Sequence, residues 1–287
     1  MISLAHHWLI TERGGEKVLK SFSKLLPRSD IYTLVAAQDR AHFGKWLQGH
    51  KITTSPLSMF PQAARRYKSL LPLYPWALRN LKVKEGTQLL LSSEASVLKG
   101  LQLPKGALHV CYCHSPPRYL WEMQETYLQQ SSGLGSFGKI VFKAITPYVR
   151  NFDYQAAQRV DYFIANSKFV AERIKRCYGK QAVVIYPPVA YDDFIYSSEK
   201  DDYYLVVSEL VPYKRIDLAV EAFNRNGKRL LIIGSGSELA YLKSIARPNI
   251  EFLGRAPFNT LKEAYAKCRA FIFPGIEDFG ITPLEAQ

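Results

Sequence analysis

The sequence has few cysteines and no long apolar run. No window approaches the about 20 apolar residues that a membrane-spanning helix needs. The apolar stretch at residues 1–5 is too short for a secretory signal. The four cysteines are Cys111, Cys113, Cys177 and Cys268. Their spacing does not fit a metal site, and they are too few for a disulfide framework. We therefore expect a cytoplasmic protein with reduced thiols in its core.

An acidic excess is also missing, and the basic excess is confined to one part of the chain. Residues 1–195 contain 26 Lys and Arg against 13 Asp and Glu, whereas residues 196–287 contain 12 of each. This asymmetry predicts two units with different partners. Nucleic acid is one candidate partner, but the sequence has no helix-turn-helix, zinc-finger or RNA-recognition signature. An anionic membrane face or a diphosphate-carrying acceptor fits the charge equally well.

Strand-like segments alternate with helical patterns along the chain. The strand-like segments lie at residues 2–6, 31–35, 88–92, 108–113, 161–165, 182–186, 203–208, 230–233, 250–254 and 270–273. This alternation predicts an α/β protein with parallel, doubly wound sheets that bind ligands at the carboxyl ends of their strands. The Y-P-P-V step at residues 186–189 and the polar segment at 197–202 indicate a linker. We therefore expect one domain at residues 1–195 and a second at residues 196–287.

The segment 273–287 carries the most information about function. A strand-like run enters a glycine-bearing loop, and the loop reaches Thr282. Thr282, the proline after it and Glu285 have the spacing of a hydroxyl N-cap, a first-turn proline and a capping-box glutamate. Such a helix start offers backbone N–H groups and the positive end of the helix dipole to an anion. Glu285 is then either part of the cap or a ligand contact, and Glu277 is either a ligand contact or solvated surface.

The string E-D-F-G-I-T-P-L-E-A resembles the glutamate-x7-glutamate signature of the retaining glycosyltransferases of family 4. The resemblance implies the GT-B fold, in which two Rossmann-like, doubly wound domains face a cleft. Members of that family continue beyond this helix, so we expect the second domain to be incomplete and the chain to be part of a longer enzyme. By resemblance, Glu277 contacts hydroxyls of the donor sugar and Glu285 holds the nucleotide ribose. The amides expected to meet the diphosphate are those of Gly280, Ile281 and Thr282.

Two loops of the first part carry the same resemblance. The R-G-G-E-K string is similar to the family's N-terminal loop, which implies that Gly14 and Gly15 line the donor cleft; an ordinary Gly-Gly turn is the alternative. The H-S-P-P-R-Y-L-W string resembles the histidine loop, which implies that His114 lies near the transferring sugar rather than being a plain turn residue. Arg118 is either an acceptor or phosphate contact or a surface arginine stacked on a neighbouring aromatic ring.

The L-V-P-Y-K-R-I-D string places adjacent cations at a helix start, which is unfavourable for the helix dipole unless an anion binds there. It resembles the family's diphosphate-binding loop, which assigns Lys214 and Arg215 to the leaving nucleotide. The family often begins this loop with Gly-Arg, so the Ser208-Glu209 of this chain lacks one expected cation. The G-S-G string at residues 234–236 is similar to a nucleotide-side loop, with a tight strand-to-helix turn as the alternative.

The resemblance implies transfer of a hexose from a nucleotide-diphosphate sugar to a glycan or lipid-linked acceptor, with retention at the anomeric carbon. The catalytic residues expected from the resemblance are His114, Lys214 and Glu277. The preferred donor is GDP-mannose, and no metal or other cofactor is expected. No pair of carboxylates in the sequence has the pattern of a hydrolase dyad. A non-catalytic fragment that binds nucleotide sugar or anionic lipid, and a nucleic-acid-binding protein, are the alternatives.

Residues 65–84 mix basic residues with large apolar ones. Two prolines interrupt this segment, so it does not fit a spanning helix, but aromatic and basic residues together suit a membrane interface. The segment therefore predicts peripheral docking on the inner face of a membrane. The alternative is a pair of helices packed on the core with a solvated basic face.

Overall fold

The structure, a computed structural model, describes residues 1–130 and 135–287. The chain divides into two units, Met1–Pro188 and Val189–Gln287, and each is described by itself. The predicted boundary after residue 195 lies seven residues beyond this division. Phe194 gives the reason, because its ring centroid lies 5.7 Å from that of Phe258 and 5.6 Å from that of Tyr265 in the second unit.

The first unit is built on a seven-stranded sheet. Its strands are β1 (Ile2–Leu9), β2 (Ile31–Ala36), β3 (Ile52–Thr54), β4 (Leu89–Glu94), β5 (Leu108–Cys113), β6 (Tyr162–Ala165) and β7 (Ala182–Val184). The order across the sheet is β3-β2-β1-β4-β5-β6-β7, with neighbouring strands parallel. The chain therefore winds outward in both directions from β1 and β4, as predicted for a doubly wound sheet. The sequence missed β3, a short edge strand, and ended β1 three residues early, at His6 rather than Leu9.

Helices connect these strands. They are α1 (Gly14–Leu25), α2 (Ala63–Arg66), α3 (Tyr74–Asn80), α4 (Gln124–Gln130), α5 (Ser136–Gln158) and α6 (Lys168–Tyr178). In α6 the local sequence determines both ends, as predicted. The Ser167 hydroxyl accepts a hydrogen bond from the Val170 N–H at 3.1 Å, and Gly179 closes the helix in the left-handed conformation at φ 68°.

Alternation along β5 separates core thiols from the opposite face. Cys111 and Cys113 are fully buried among the apolar side chains of β6 and α6, and all four cysteines of the chain are free and buried. Tyr112 lies on the other face of the strand, where its hydroxyl donates to the Ile185 carbonyl at 2.9 Å. The sequence prediction of core thiols is confirmed.

A buried ion cluster ties the end of β4 to α5. The Lys99 ammonium lies 2.6 Å from carboxylate oxygens of both Glu94 and Asp153, and all three side chains are fully buried. Burial raises the pKa of Glu94, although Lys99 opposes that shift. Burial alone would lower the pKa of Lys99, but Asp153 and Glu94 together raise it. Because removing one member would leave an uncompensated buried charge, this cluster fixes the end of β4 in place.

The second unit has a smaller parallel sheet. Its strands are β8 (Tyr204–Val207), β9 (Leu230–Ile233), β10 (Ile250–Gly254) and β11 (Ala270–Phe271), and its helices are α7 (Ile216–Asn226), α8 (Leu239–Ile245), α9 (Phe258–Lys267) and α10 (Ile281–Ala286). The order across the sheet is β10-β9-β8-β11. The direction of winding therefore reverses between β8 and β11. Ligands of doubly wound sheets bind outside the strands' carboxyl ends at such a switch point.

Candidate functional site

The switch point of the first unit lies between β1 and β4, and polar side chains gather at its carboxyl edge. His114 follows β5, and its backbone N–H donates to the Glu94 carbonyl at 2.8 Å. Its side chain is half-buried, with Nε2 at 2.8 Å from the Ser93 hydroxyl oxygen. The predicted histidine loop therefore does bring His114 to this edge of the sheet.

Two further histidines from β1 surround the same serine. His6 Nδ1 lies 3.2 Å from the Ser93 hydroxyl oxygen, and His7 Nδ1 lies 3.4 Å from the Ser93 carbonyl oxygen. The His6 and His7 rings lie 4.2 Å apart, and each ring centroid lies 6.5 Å from that of His114. Ser93 is therefore the common partner of three imidazoles.

The start of α1 completes this histidine cluster. Glu16 accepts a hydrogen bond from the Arg13 N–H at 2.9 Å, and its other carboxylate oxygen lies 3.4 Å from His6 Nε2. A Cβ atom on Gly15 would lie 3.3 Å from His6 Cε1 and 3.6 Å from His114 Nε2. The predicted residues Gly15 and His114 thus lie together, and Gly14 is the first residue of α1. Sequence reasoning missed Glu16, His6 and Ser93, although Glu16 stands inside the R-G-G-E-K string.

Two imidazoles of this cluster, those of His7 and His114, are held neutral. Burial, with a contribution from His6, lowers the pKa of His114 to about 3. Burial, followed by His6 and His114, holds the pKa of His7 well below its usual range. At neutral pH, His7 and His114 therefore act as hydrogen-bonding groups rather than as cations.

The histidine loop is anchored from α6. The Arg173 guanidinium donates to the Ser115 hydroxyl at 2.7 Å and to the Glu122 carboxylate at 2.7 Å. The Arg150 guanidinium lies 5.7 Å from the centre of the ring of Trp121, an aromatic residue that follows Arg118 in the same string. Arg118 itself is half-buried in the turn that follows His114.

In the second unit, two predicted catalytic residues meet at the switch point. Lys214 follows β8, Glu277 follows β11, and their side chains form an ion pair with only 16% and 18% of their surfaces exposed. A Cβ atom on Gly275 would lie 2.7 Å from the Lys214 carbonyl oxygen. The close approach of the two loops therefore requires a glycine at position 275.

Arg215, predicted to face the diphosphate, has a partner within its own helix start. It adopts the left-handed conformation at φ 54° immediately before α7. Its Nε and NH2 groups donate to the Asp217 carboxylate at 2.9 to 3.2 Å. Asp217 raises the pKa of this exposed guanidinium. The local conflict between cations and the helix dipole is thus relieved in part by Asp217.

The start of α10 corrects one prediction. Thr282 is not the N-cap, because the helix begins at Ile281 after Gly280, which is in the left-handed conformation at φ 83°. The glycine tolerates this conformation and moves the helix start two residues ahead of the predicted one. The Tyr265 hydroxyl donates to the Glu285 carboxylate at 3.3 Å, a contact with α9 that the capping-box interpretation did not include.

Gly234 and Gly236 have a structural reason to be glycine. A Cβ atom on Gly234 would overlap the Ser208 carbonyl, and one on Gly236 would overlap the Leu210 carbonyl. The Leu210 N–H donates to the Ser235 carbonyl at 3.1 Å, so the two loops are joined through their backbones. The close approach of the segment from Ser208 to Leu210 accounts for both glycines.

Residues 1–130 and 135–287 contain neither a candidate membrane span nor a candidate metal site. Within these residues, no helix is long and apolar enough to cross a membrane. No group of three or more His, Cys, Asp and Glu side chains in the same ranges has an arrangement that would hold a metal ion. The side chains of His6, His7 and His114 form a cluster that is joined by hydrogen bonds to Ser93.

Two doubly wound units, each with polar and charged residues at its switch point, are typical of the GT-B class of glycosyltransferase folds. Comparison of the sequence with family models is consistent with this class. The Glycosyltransferase Family 4 model matches residues 13–193, more than half of the chain, and the Glycosyl transferases group 1 model matches residues 192–287. The chain belongs to glycosyltransferase family 4.

Curated relatives share about half of this chain. The O-antigen chain mannosyltransferase RfbU of Salmonella typhimurium is 30% identical over 156 residues, which cover 49% of this chain and 43% of that protein. An uncharacterized glycosyltransferase of Methanocaldococcus jannaschii is 26% identical over 143 residues, covering 48% of this chain and 40% of that protein. The matched segments thus span less than half the length of either relative.

Solved structures share the fold at low sequence identity. Anabaena HepE in complex with UDP and glucose has a TM-score of 0.62 and 14% identity, covering 100% of this chain and 78% of that one. An S. aureus TarM mutant in complex with Fondaparinux, alpha-GlcNAc-glycerol and UDP has a TM-score of 0.64 and 11% identity, covering 99% of this chain and 83% of that one. These likenesses establish the fold.

Proposed function

We propose that the protein transfers a hexose from a nucleotide-diphosphate sugar to an acceptor hydroxyl, with retention at the anomeric carbon. The observation that carries this proposal is the ion pair of Lys214 and Glu277 at the switch point of the second unit. In the family motif, these positions serve the leaving nucleotide and the hydroxyls of the donor sugar. Membership of the family supports the reaction class, and the pair supports these residues as its centre.

In the proposed reaction, the acceptor oxygen attacks the anomeric carbon on the face from which the diphosphate departs. The bond between that carbon and the diphosphate oxygen breaks as the glycosidic bond forms, and the acceptor proton passes to the departing phosphate oxygen. Lys214 stabilises the negative charge that grows on the leaving group, supported by the N–H groups of Gly280, Ile281 and Thr282. Donor binding replaces the ion pair, so that Lys214 meets phosphate and Glu277 meets sugar hydroxyls.

In the first unit, His114 is proposed to act on the donor sugar as a neutral side chain. His114 lies beside Gly15 at the sheet edge, and its lowered pKa keeps the imidazole uncharged. The transition state of glycosyl transfer carries positive charge on the sugar ring. A neutral imidazole adds no repulsive charge there, which supports the role proposed for His114.

The proposed donor is GDP-mannose, and the proposed acceptor is a glycan or a lipid-linked saccharide. The donor is supported by the likeness to RfbU, an O-antigen chain mannosyltransferase. The basic excess of residues 1–195 supports an acceptor that carries a diphosphate.

The segment 65–84 supports a membrane surface as the place of reaction. Its Leu71, Tyr74 and Leu78 side chains pack into the core of the first unit, as the helix-packing interpretation requires. The segment nevertheless exposes Trp76 by 47%, and its exposed basic residues include Arg65, Arg66, Lys68 and Arg79. An exposed tryptophan among cations suits the headgroup region of an anionic membrane. We propose that this surface docks on the inner face of the membrane.

A donor screen tests the proposal. The intact protein is incubated with GDP-mannose and other nucleotide sugars and with a lipid-linked acceptor, and the anomeric configuration of the product is determined by NMR. A product with the donor's configuration supports the proposal, and an inverted product contradicts it. Binding of nucleotide sugar without turnover would favour a binding protein. Salt-sensitive binding to nucleic acid that is indifferent to sugar nucleotides would favour a nucleic-acid-binding protein.

A further inference from the structure

Four side chains of the first unit form a line from the protein interior to His114. Glu16 Oε1 lies 3.4 Å from His6 Nε2, His6 Nδ1 lies 3.2 Å from Ser93 Oγ, and Ser93 Oγ lies 2.8 Å from His114 Nε2. Glu16, His6 and Ser93 are buried, and His114 is half-buried. The line joins α1, β1, β4 and the loop after β5, so its members are brought together by the sheet order alone.

The chemistry of these groups determines where the hydrogens lie. The Glu16 carboxylate carries negative charge 3.4 Å from His6 Nε2, and this nitrogen makes no hydrogen bond among the described residues, so the carboxylate favours a hydrogen on His6 Nε2. In a neutral imidazole, the opposite nitrogen is then an acceptor, so Ser93 donates its single hydroxyl hydrogen to His6 Nδ1. The Ser93 oxygen is left to accept, and it accepts from the Nε2–H of His114.

We propose that Ser93 is a positioning residue that fixes His114 in the tautomer with hydrogen on Nε2. Nδ1 of His114 is then an acceptor, because the hydrogen bond made by one imidazole nitrogen decides the state of the other. The sugar-binding consequence rests on the proposed function. A lone pair at Nδ1 accepts a hydroxyl hydrogen of the donor sugar and turns the negative end of the imidazole dipole towards the charge that develops on the ring.

The strand supplies a matched control at the next residue. Ser92 lies on the opposite face of β4, and its hydroxyl oxygen lies 2.8 Å from Nε2 of the buried His109. Ser92→Ala and Ser93→Ala therefore each remove one buried serine–histidine hydrogen bond. They differ in whether the bond belongs to the line that ends at His114.

The tautomer is measured by NMR of the intact protein containing ¹⁵N-histidine, without ligand, at pH 8, above the range in which imidazole ordinarily titrates. His114 is assigned from the signals that disappear in His114→Gln. The expected wild-type spectrum shows a protonated Nε2 and an unprotonated Nδ1 for His114. Ser93→Ala is expected to populate both tautomers, whereas Ser92→Ala leaves the His114 signals unchanged. A wild-type His114 with hydrogen on Nδ1 overturns the proposal, even if Ser93→Ala does not fold.

Steady-state kinetics give a second readout. Loss of an orienting partner typically lowers activity roughly tenfold or more, so we expect that loss in kcat for Ser93→Ala and little change in the KM for the donor. Ser92→Ala is expected to keep the wild-type kcat. Equal losses in both variants, matched by equal losses of thermal stability, would reduce Ser93 to a packing role. If no nucleotide sugar is turned over, the proposed function fails, while the NMR result still decides the tautomer.

Discussion

Glu277 and Lys214 form an ion pair although they lie on loops that follow different strands, β11 and β8. Each side chain exposes less than a fifth of its surface. Because solvent screens such a pair only in part, each group strongly influences the position of the other. The first two predictions concern these two residues.

Glu277→Ala is expected to remove most transfer while the donor still binds. Loss of a group that acts on the sugar in the transition state costs on the order of 100-fold in kcat. Donor affinity, measured by calorimetry, should change only a few-fold because Lys214 stays available for the diphosphate. Glu251→Ala is the control, since Glu251 is exposed and paired with Arg229 at 3.3 Å. Wild-type activity in Glu277→Ala would refute the assignment.

Lys214→Ala should cost about 2–4 kcal/mol of transition-state stabilisation, or about 30- to 1,000-fold in kcat/KM. The physical reason is that no other group then neutralises the leaving diphosphate in the same place. Lys228→Ala is the matched control, because Lys228 also lies over a tyrosine ring, at 5.6 Å from the Tyr204 centroid compared with 5.4 Å for Lys214 over Tyr213. Wild-type activity should survive EDTA. Full loss in EDTA with recovery in magnesium would contradict a metal-independent reaction.

Variants of Glu285 and Tyr265 distinguish a role in ligand binding from a role in anchoring α10. Glu285→Ala and Tyr265→Phe both remove the hydrogen bond between α9 and α10, so each should lower the free energy of unfolding by about 1 kcal/mol. Only Glu285→Ala removes the carboxylate expected to hold the ribose, so only this variant should weaken nucleotide binding. Calorimetry and urea unfolding of both variants make the comparison. Equal nucleotide affinities would leave Glu285 with its anchoring role alone.

The sequence predicted the fold well because both sheets are made of short apolar runs separated by helical patterns. It missed β3, since three residues at a sheet edge are too few for a periodic signal. It placed the start of α10 too late, because the left-handed conformation of Gly280 is not encoded by a capping side chain. Phe194 belongs to the second unit through ring contacts that a polar linker pattern does not reveal.

The candidate site was predictable where it lies within contiguous strings. Gly15, His114, Lys214 and Glu277 each stand in such a string, and the structure brings them together as two pairs, one in each unit. Their catalytic and binding roles stay predictions. His6, Ser93 and Glu16 could not be found in this way, because their proximity depends on strand order. Asp217 was likewise overlooked as the partner of Arg215, although it stands two residues away.

The buried histidines should make the protein sensitive to acid. Burial lowers the pKa of His109 to about 4, whereas an unfolded histidine titrates near 6.5. The unfolded state therefore binds more protons between these values, so the stability contributed by neutral His109 is lost as the pH falls from about 6.5 to about 4, on the order of 3 kcal/mol. The raised pKa of Glu94 opposes this trend. Urea unfolding of wild type and His109→Gln at pH 7.5 and 4.5 isolates the histidine, and equal pH dependence in both would contradict the expectation.

Membrane docking should depend on the cations of segment 65–84. Each basic residue near an anionic surface contributes about 1 kcal/mol, so replacing Arg65, Arg66 and Lys68 by Ala should weaken binding on the order of 100-fold. Flotation with neutral and anionic liposomes measures this, and binding should fall with salt. The control replaces three exposed cations of the second unit, Arg225, Lys243 and Lys267. Equal binding to both lipids, or none at low salt, would exclude this role.

The backbone contact between the loops after β8 and β9 has a consequence for engineering these loops. Any Cβ atom at Gly234 or Gly236 would displace the segment from Ser208 to Leu210, so both glycines are needed for the two loops to pack against each other. A directed-evolution library that randomised them would mostly sample misassembled loops. Diversity is better placed at Ser235, whose hydroxyl contacts Arg255 at 2.9 Å and whose side chain changes without moving the neighbouring loop.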